Sequence, residues 1–349
     1  MKALLSNKWT YVLATIFVMA NGYLVYNGKY LLNVLPFALI IVYVALYHFE
    51  YLFYFLVFFT PLSVNIEEFV ASNVGLFLPT EPLLFGMLLL IILNQIRQNQ
   101  FNSAILKHPI SILIILQLFW ILVTAINSEL PLVSFKFLLT KLWFFIPIYF
   151  YGILFFAANK KRIFQFVWLF ISAMTIVVLY TLFNHALNDF SEPSGHWVMF
   201  PFFKDHTSYG AILALVFPLL FGLYAIHKDN GYTRAVLLVL IPLFTFAIIM
   251  SYTRAAWVTI FGAFIVFLLI KFKIKFKYLA VIGLAGIAYL AVNIVQVEHA
   301  LERNNAEHAT EKLDERLESV ANITSDASNL ERINRWTSAV LMWQERPFF

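Results

Sequence analysis

The sequence predicts an all-α, polytopic helical membrane protein, and three observations predict it. Of 349 residues, 62% are hydrophobic and only 12% charged, where a soluble domain runs nearer half apolar and about a quarter charged. The excess is not one large core but a series of separate blocks of about 15–22 apolar residues, the length that crosses a bilayer as a helix. A chain exposed to lipid must also pair its own backbone polar groups, which a helix does within one segment. A soluble glycosidase is therefore excluded.

Hydropathy places about eleven spans, near residues 9–26, 31–47, 49–63, 82–96, 109–126, 139–157, 164–184, 207–226, 235–251, 256–270 and 278–296. The first block has no small-residue cleavage site and reads as a retained span, not a removed signal peptide. The second and third are parted only by His48, Phe49 and Glu50, a tight hairpin. Residues 1–296 thus form a transmembrane domain. After about Gln296 the composition turns charged, with helix-like spacing at Leu301, Leu313 and Leu317 and a second helix expected from about Ser328. Residues 297–349 are accordingly expected as an extracytoplasmic, partly helical amphipathic segment. Its ending in Arg346-Pro347-Phe348-Phe349 reads as a cut chain.

The net charge of +5 is not gathered into a patch, so nucleic acid is not an expected partner. The bases lie in connectors instead: Lys2 and Lys8, Arg97 and Lys107, Lys160-Lys161-Arg162, Lys228 and Arg234, then KFKIKFK at 271–277. With the N-terminus inside, bases before the tail divide roughly thirteen to five in favour of the cytoplasm, as the positive-inside rule requires. The 64–81 connector on the other side has Glu67, Glu68 and Glu81 and no base. The chain is placed in the cytoplasmic (inner) membrane. It has no cysteine, which excludes disulfides and thiol catalysis.

Against that orientation two outer-side bases stand out. Arg254 lies in the turn SYTRAAW, with Ser251, Tyr252 and Thr253 beside it. An interfacial arginine commonly snorkels to headgroups. A guanidinium fixed at the outer surface, on the face that avoids bases, also suits a diphosphate, which it grips with two parallel bonds. Lys204 lies in KDHTSYG. There Asp205 or Thr207 caps a helix, whose positive end would add to Lys204 as a second anion site. His206, in the same segment, is the candidate catalytic proton carrier, although a histidine at a span end is more often structural. The connector before it carries His185, His196, Trp197, Phe200, Phe202 and Phe203. Walker loops, HExxH and Asp-x-Asp pairs are all missing, so the expected chemistry uses no nucleotide, no metal and no cofactor.

Three stretches in order, PFFKDHTSYGAILALVFPLLFG, SYTRAAWVTIFGAFIVFLL and SNLERINRWTSAVLMWQERPFF, resemble the O-antigen ligase and O-antigen polymerase superfamily of bacterial membrane glycosyltransferases. The resemblance covers roughly residues 200–349; the earlier spans are similar only in number and hydropathy. It implies an enzyme that moves a glycan from an undecaprenyl-diphosphate-linked donor to an acceptor hydroxyl outside the cytoplasmic membrane. The acceptor is lipid A–core for a ligase, or another lipid-linked repeat for a polymerase. Arg254 matches the family's diphosphate-binding arginine, Lys204 stands where the family often has another base, and Thr207 adds the helix end. Asp205 and Tyr252 support them. The family's own catalytic histidine follows a segment like ERPFF, beyond Phe349; His299 and His308 precede it and do not match. The rival of another class is a lipid-linked oligosaccharide flippase or transporter, which would place charges along a mid-membrane path and show repeat halves.

Overall fold

The computed structural model describes residues 7–69, 75–98, 101, 103–275, 277–278, 280–281, 284, 288 and 327–345. Its helices are α1 (Asn7–Tyr26), α2 (Leu35–Tyr47), α3 (Phe49–Phe59), α4 (Thr80–Gln98), α5 (Ser103–Leu106), α6 (Pro109–Ile126) and α7 (Pro131–Phe144). They continue as α8 (Gly152–Ala158), α9 (Lys161–Ala186), α10 (Glu192–Gly195), α11 (His206–Ile226), α12 (Gly231–Met250), α13 (Arg254–Lys271) and α14 (Ala327–Glu345). The only sheet among the described residues is a two-stranded antiparallel ribbon, β1 (Val64–Asn65) with β2 (Phe77–Leu78), in the register Val64 to Leu78. The protein is a polytopic helical membrane protein.

Among the described residues seven helical stretches are long and apolar enough to cross a bilayer: Thr80–Arg97, Pro109–Ile126, Pro131–Ala158, Lys161–Ala186, His206–Ile226, Gly231–Met250 and Arg254–Lys271. Three shorter apolar helices precede them, Tyr11–Tyr26, Leu32–Tyr47 and Phe49–Phe59. The expected span at 278–296 and the amphipathic stretch around Leu301, Leu313 and Leu317 lie almost wholly outside the described residues. The third block is shorter than expected because α3 stops at Phe59: Thr60 is still helical, but Pro61 has no N–H with which to extend the ladder. The sixth begins earlier, at Pro131, where proline suits a helix start. Lys136 and Lys141 depress hydropathy there, yet Lys141 lies 5.0 Å over the Phe137 ring, its stem covering apolar surface. Between α7 and α8 the helix runs as a π-turn through Phe145–Tyr151, around Pro147, which has no N–H to give to the ladder.

The chain divides into two compact units. The first comprises residues 1–118 and 137–170. Its core is Leu52, Phe53, Leu56 and Val57 of α3 against Leu83, Leu84, Met87 and Ile91 of α4, closed by Phe155. At the α3 end Arg162 pairs with Glu50, donates to the Phe155 carbonyl at 3.1 Å and stacks 4.6 Å over the Phe155 ring. The second unit comprises residues 119–136 and 171–349. There α11 packs on both α12 and α13, through Leu213, Val216, Leu220, Leu237 and Phe244 among others.

Candidate functional site

The site is built where α12 turns into α13. At the end of α12 the carbonyl of Ile248 accepts the Ser251 N–H at 3.3 Å, the Ser251 hydroxyl at 2.7 Å and the Trp257 indole N–H at 3.1 Å. These bonds fold the chain back within Ser251–Thr253. The reversal needs a left-handed residue, and Tyr252 takes it with φ 50°, an uncommon conformation for a bulky side chain. What holds Tyr252 there is its ring. The phenol donates to the Phe190 carbonyl at 3.0 Å, and the ring lies so close over Gly195 that a Cβ there would sit 2.5 Å from it. Thr253 is the N-cap of α13, yet its hydroxyl makes no cap bond. It turns to the His206 carbonyl, 2.8 Å away, with the Ser251 carbonyl at 3.1 Å sharing the same proton. Its side chain rests on Gly210, where a Cβ would lie 2.6 Å from both Cβ and Oγ1 of Thr253. The starts of α11 and α13 therefore lie at one end of the bundle, joined by a hydrogen bond and a glycine contact.

At the start of α11, Asp205 is the cap. Its Oδ1 accepts the Ser208 N–H at 2.8 Å and the Thr207 hydroxyl, and its Oδ2 accepts the Ser208 hydroxyl at 3.1 Å. Burial pushes the Asp205 carboxyl up, but the bonds from Thr207 and Ser208 together outweigh it and hold it below the usual carboxylate range. The anion that this helix end attracts is thus Asp205 itself. The end of α13 differs: no side chain caps it, and its first residue is Arg254.

The loop over this end is fastened from below. His185, only 1% exposed, points Nε2 at the Ser191 carbonyl, 3.0 Å away, and packs against Phe190 and Tyr252. Asn188 donates to the Asn184 carbonyl at 2.8 Å. Beyond α10 the exposed His196 brings its Nδ1 to 3.0 Å from Nδ1 of His206, the rings edge to face. Trp197 stands out beside it, 54% exposed.

A family model described as O-antigen ligase matches residues 235–349. That stretch is similar to the O-antigen ligase family. The match supports membership of the O-antigen ligase and polymerase superfamily, whose members are glycosyltransferase-like and imply a lipid-linked glycan and an acceptor as partners. No curated protein and no solved structure matches the chain.

The O-antigen ligase match takes in α12, the SYTRAAW turn, α13 and α14, and stops short of KDHTSYG. The bond from Thr253 to His206 ties the two together. Of the residues expected from sequence, Tyr252 is the brace of the turn, Arg254 is half-buried on the first turn of α13, and His206 is half-buried on the first turn of α11. Lys204 is exposed one residue before the cap. Thr207 is exposed and its hydroxyl proton is committed to Asp205. Sequence reasoning named His196 and Thr253 only as members of their segments, without a role, and did not single out Gly195 or Gly210. The glycines were the available signal: each stands inside a polar motif next to a helix, where a close backbone approach is the usual reason for glycine.

Proposed function

We propose that this chain transfers a glycan from an undecaprenyl-diphosphate-linked donor to an acceptor hydroxyl on the outer side of the cytoplasmic membrane, as an O-antigen ligase. The observation that carries the proposal is the joining of Arg254, inside the family match, to the start of α11 through Thr253 and His206. In this reading the start of α13 receives the diphosphate. Arg254 holds it bidentately, the helix end adds its dipole, and the exposed Lys204 contributes a mobile point charge. Asp205 and Thr207 do not touch the anion; they fix the first turn of α11. Tyr252 sets the direction from which Arg254 leaves the turn.

The bond from the anomeric carbon to the diphosphate oxygen breaks, and the diphosphate departs with the electron pair. The acceptor oxygen bonds to the anomeric carbon as its proton passes to a histidine base, for which His206 is the candidate among the described residues. One preorganised group facing such growing charge is worth about 3–4 kcal/mol. The two bases do the work of a cation, so a chelator should leave the rate unchanged.

The test is transfer in membranes carrying the protein, with lipid-linked donor and with or without core-lipid acceptor, wild type beside Arg254→Ala. A single-step shift of core lipid, lost by about 100-fold or more in the variant, is the expected result. A ladder that forms without core lipid identifies a polymerase of the same superfamily. Undiminished transfer by Arg254→Ala at normal expression would sink the diphosphate grip, and donor that only changes sides of the membrane would mean a flippase.

A further inference from the structure

We propose that the end of α13 and the connector after it form a binding site for acidic phospholipids at the membrane surface. The run KFKIKFK, residues 271–277, places lysines at 271, 273, 275 and 277, alternating with apolar residues. As a topology signal it needs only positive charge somewhere in the connector. The backbone puts one of those charges in an unfavourable place. α13 closes in a left-handed turn, in which the Lys273 N–H donates to the Ile270 carbonyl at 3.1 Å and the Ile274 N–H to the Leu269 carbonyl at 3.0 Å. Glycine is the usual residue just past the cap of such a turn, because a Cβ is disfavoured there. Here that residue is Lys273, with φ 53°. The helix end accounts for Lys271, which lies in its last turn, but not for the three lysines beyond it.

Lys271, Lys273, Lys275 and Lys277 are all exposed, and among the described residues no carboxylate pairs with them. Because α12 turns back into α13, the start of α12 lies at this same end of the second unit. The connector before α12 adds the exposed Lys228, with Asp229 as its one acid. Between the lysines stand exposed Phe272 and Ile274, and Tyr278 follows them. Lys271 lies 5.8 Å over the Phe267 ring and Lys277 lies 5.0 Å over the Tyr278 ring, so ammonium groups stand directly beside apolar surface. Arg254–Lys271 is long and apolar enough to cross the bilayer, which puts this mixture at the lipid–water boundary. An acidic phospholipid fits both parts: its phosphate takes the ammonium groups and its acyl chains take the apolar side chains. A soluble phosphate would use the lysines alone. The site lies at the opposite end of α13 from Arg254 and does not depend on the function proposed above.

The test is native mass spectrometry of the full chain in detergent, titrated with phosphatidylglycerol or phosphatidylcholine. Wild type should retain phosphatidylglycerol preferentially, and less of it as salt rises, since salt screens exposed charges. One lysine near an acidic lipid surface is worth about fivefold in affinity. Lys273→Gly should therefore bind phosphatidylglycerol about fivefold more weakly. Its thermal midpoint without acidic lipid should hold or rise, because glycine suits the turn. Joint replacement by Lys271→Gln, Lys275→Gln and Lys277→Gln should abolish the preference. Equal retention of both lipids by wild type, or unchanged phosphatidylglycerol affinity in Lys273→Gly, overturns the site. Displacement of the lipid by an equimolar amount of inorganic phosphate overturns the lipid reading in favour of a soluble anion.

Discussion

The closest approach between the two sequence motifs is at Gly210, and it makes the sharpest residue-scale prediction. A Cβ at this position meets Thr253 Cβ and Oγ1 at 2.6 Å, both short of any ordinary contact, and neither belongs to a flexible side-chain end. Gly210→Ala should cost about 1–3 kcal/mol, the usual range for overpacking, by pushing the turn off α11. A thermal unfolding midpoint in detergent that does not fall would show that the turn yields freely. Asp205 gives a second prediction, with a pH sign. Asp205→Ala should lose about 0.5–2 kcal/mol at neutral pH, as for other helix caps. The folded carboxyl lies below its unfolded value, so its stabilisation is present above the unfolded pKa and disappears as pH falls through the folded one. Wild type and variant should therefore converge in acid. A gap that persists below the carboxylate range would assign the effect to something other than the charge.

At the scale of elements, the staple between α3 and α9 separates two kinds of contact. Glu50 is 55% exposed on its side chain, and such surface pairs contribute about 0–1 kcal/mol. Arg162 is 17% exposed and also serves the Phe155 carbonyl and ring. Glu50→Gln should therefore change unfolding by less than about 1 kcal/mol, and Arg162→Ala by clearly more, since it leaves a carbonyl unpaired. Equal losses in denaturant titrations would show that the ion pair itself dominates. The same elements mark what was legible beforehand. Helix positions followed from hydropathy because lipid demands long apolar runs, and the expected helix near Ser328 is α14. The start of α7 did not follow, since Lys136 and Lys141 depress hydropathy there, although Lys141 lies over the Phe137 ring. The contact of SYTR with TSYG was equally hidden. Hydropathy records how deep a residue lies, whereas Thr253 and Gly210 meet by fit between helices more than forty positions apart. The pairing of His196 with His206 depends on the path of a loop with no periodicity to read.

At the scale of the whole molecule, the proposed membrane topology is what would make the local cluster an outer-face site. The starts of α11 and α13 lie together in the second unit, so α12 must run the opposite way, with Lys228 and Arg234 at the other end. At that end Arg234 donates to the Tyr224 hydroxyl at 2.7 Å and stacks 4.5 Å over its ring. The excess of bases on connectors like this one is the argument for placing it in the cytoplasm, and hence Arg254 outside. The chain offers a direct test because it has no cysteine of its own. Single cysteines at the exposed Trp197 and Lys228 are each the sole thiol in these 349 residues. In intact spheroplasts a membrane-impermeant maleimide should label Trp197→Cys and spare Lys228→Cys, and lysis should expose both. Labelling of Lys228→Cys alone before lysis would invert the protein. Arg254 and the histidine pair would then face the cytoplasm, and the outer-face reading would fall with the topology.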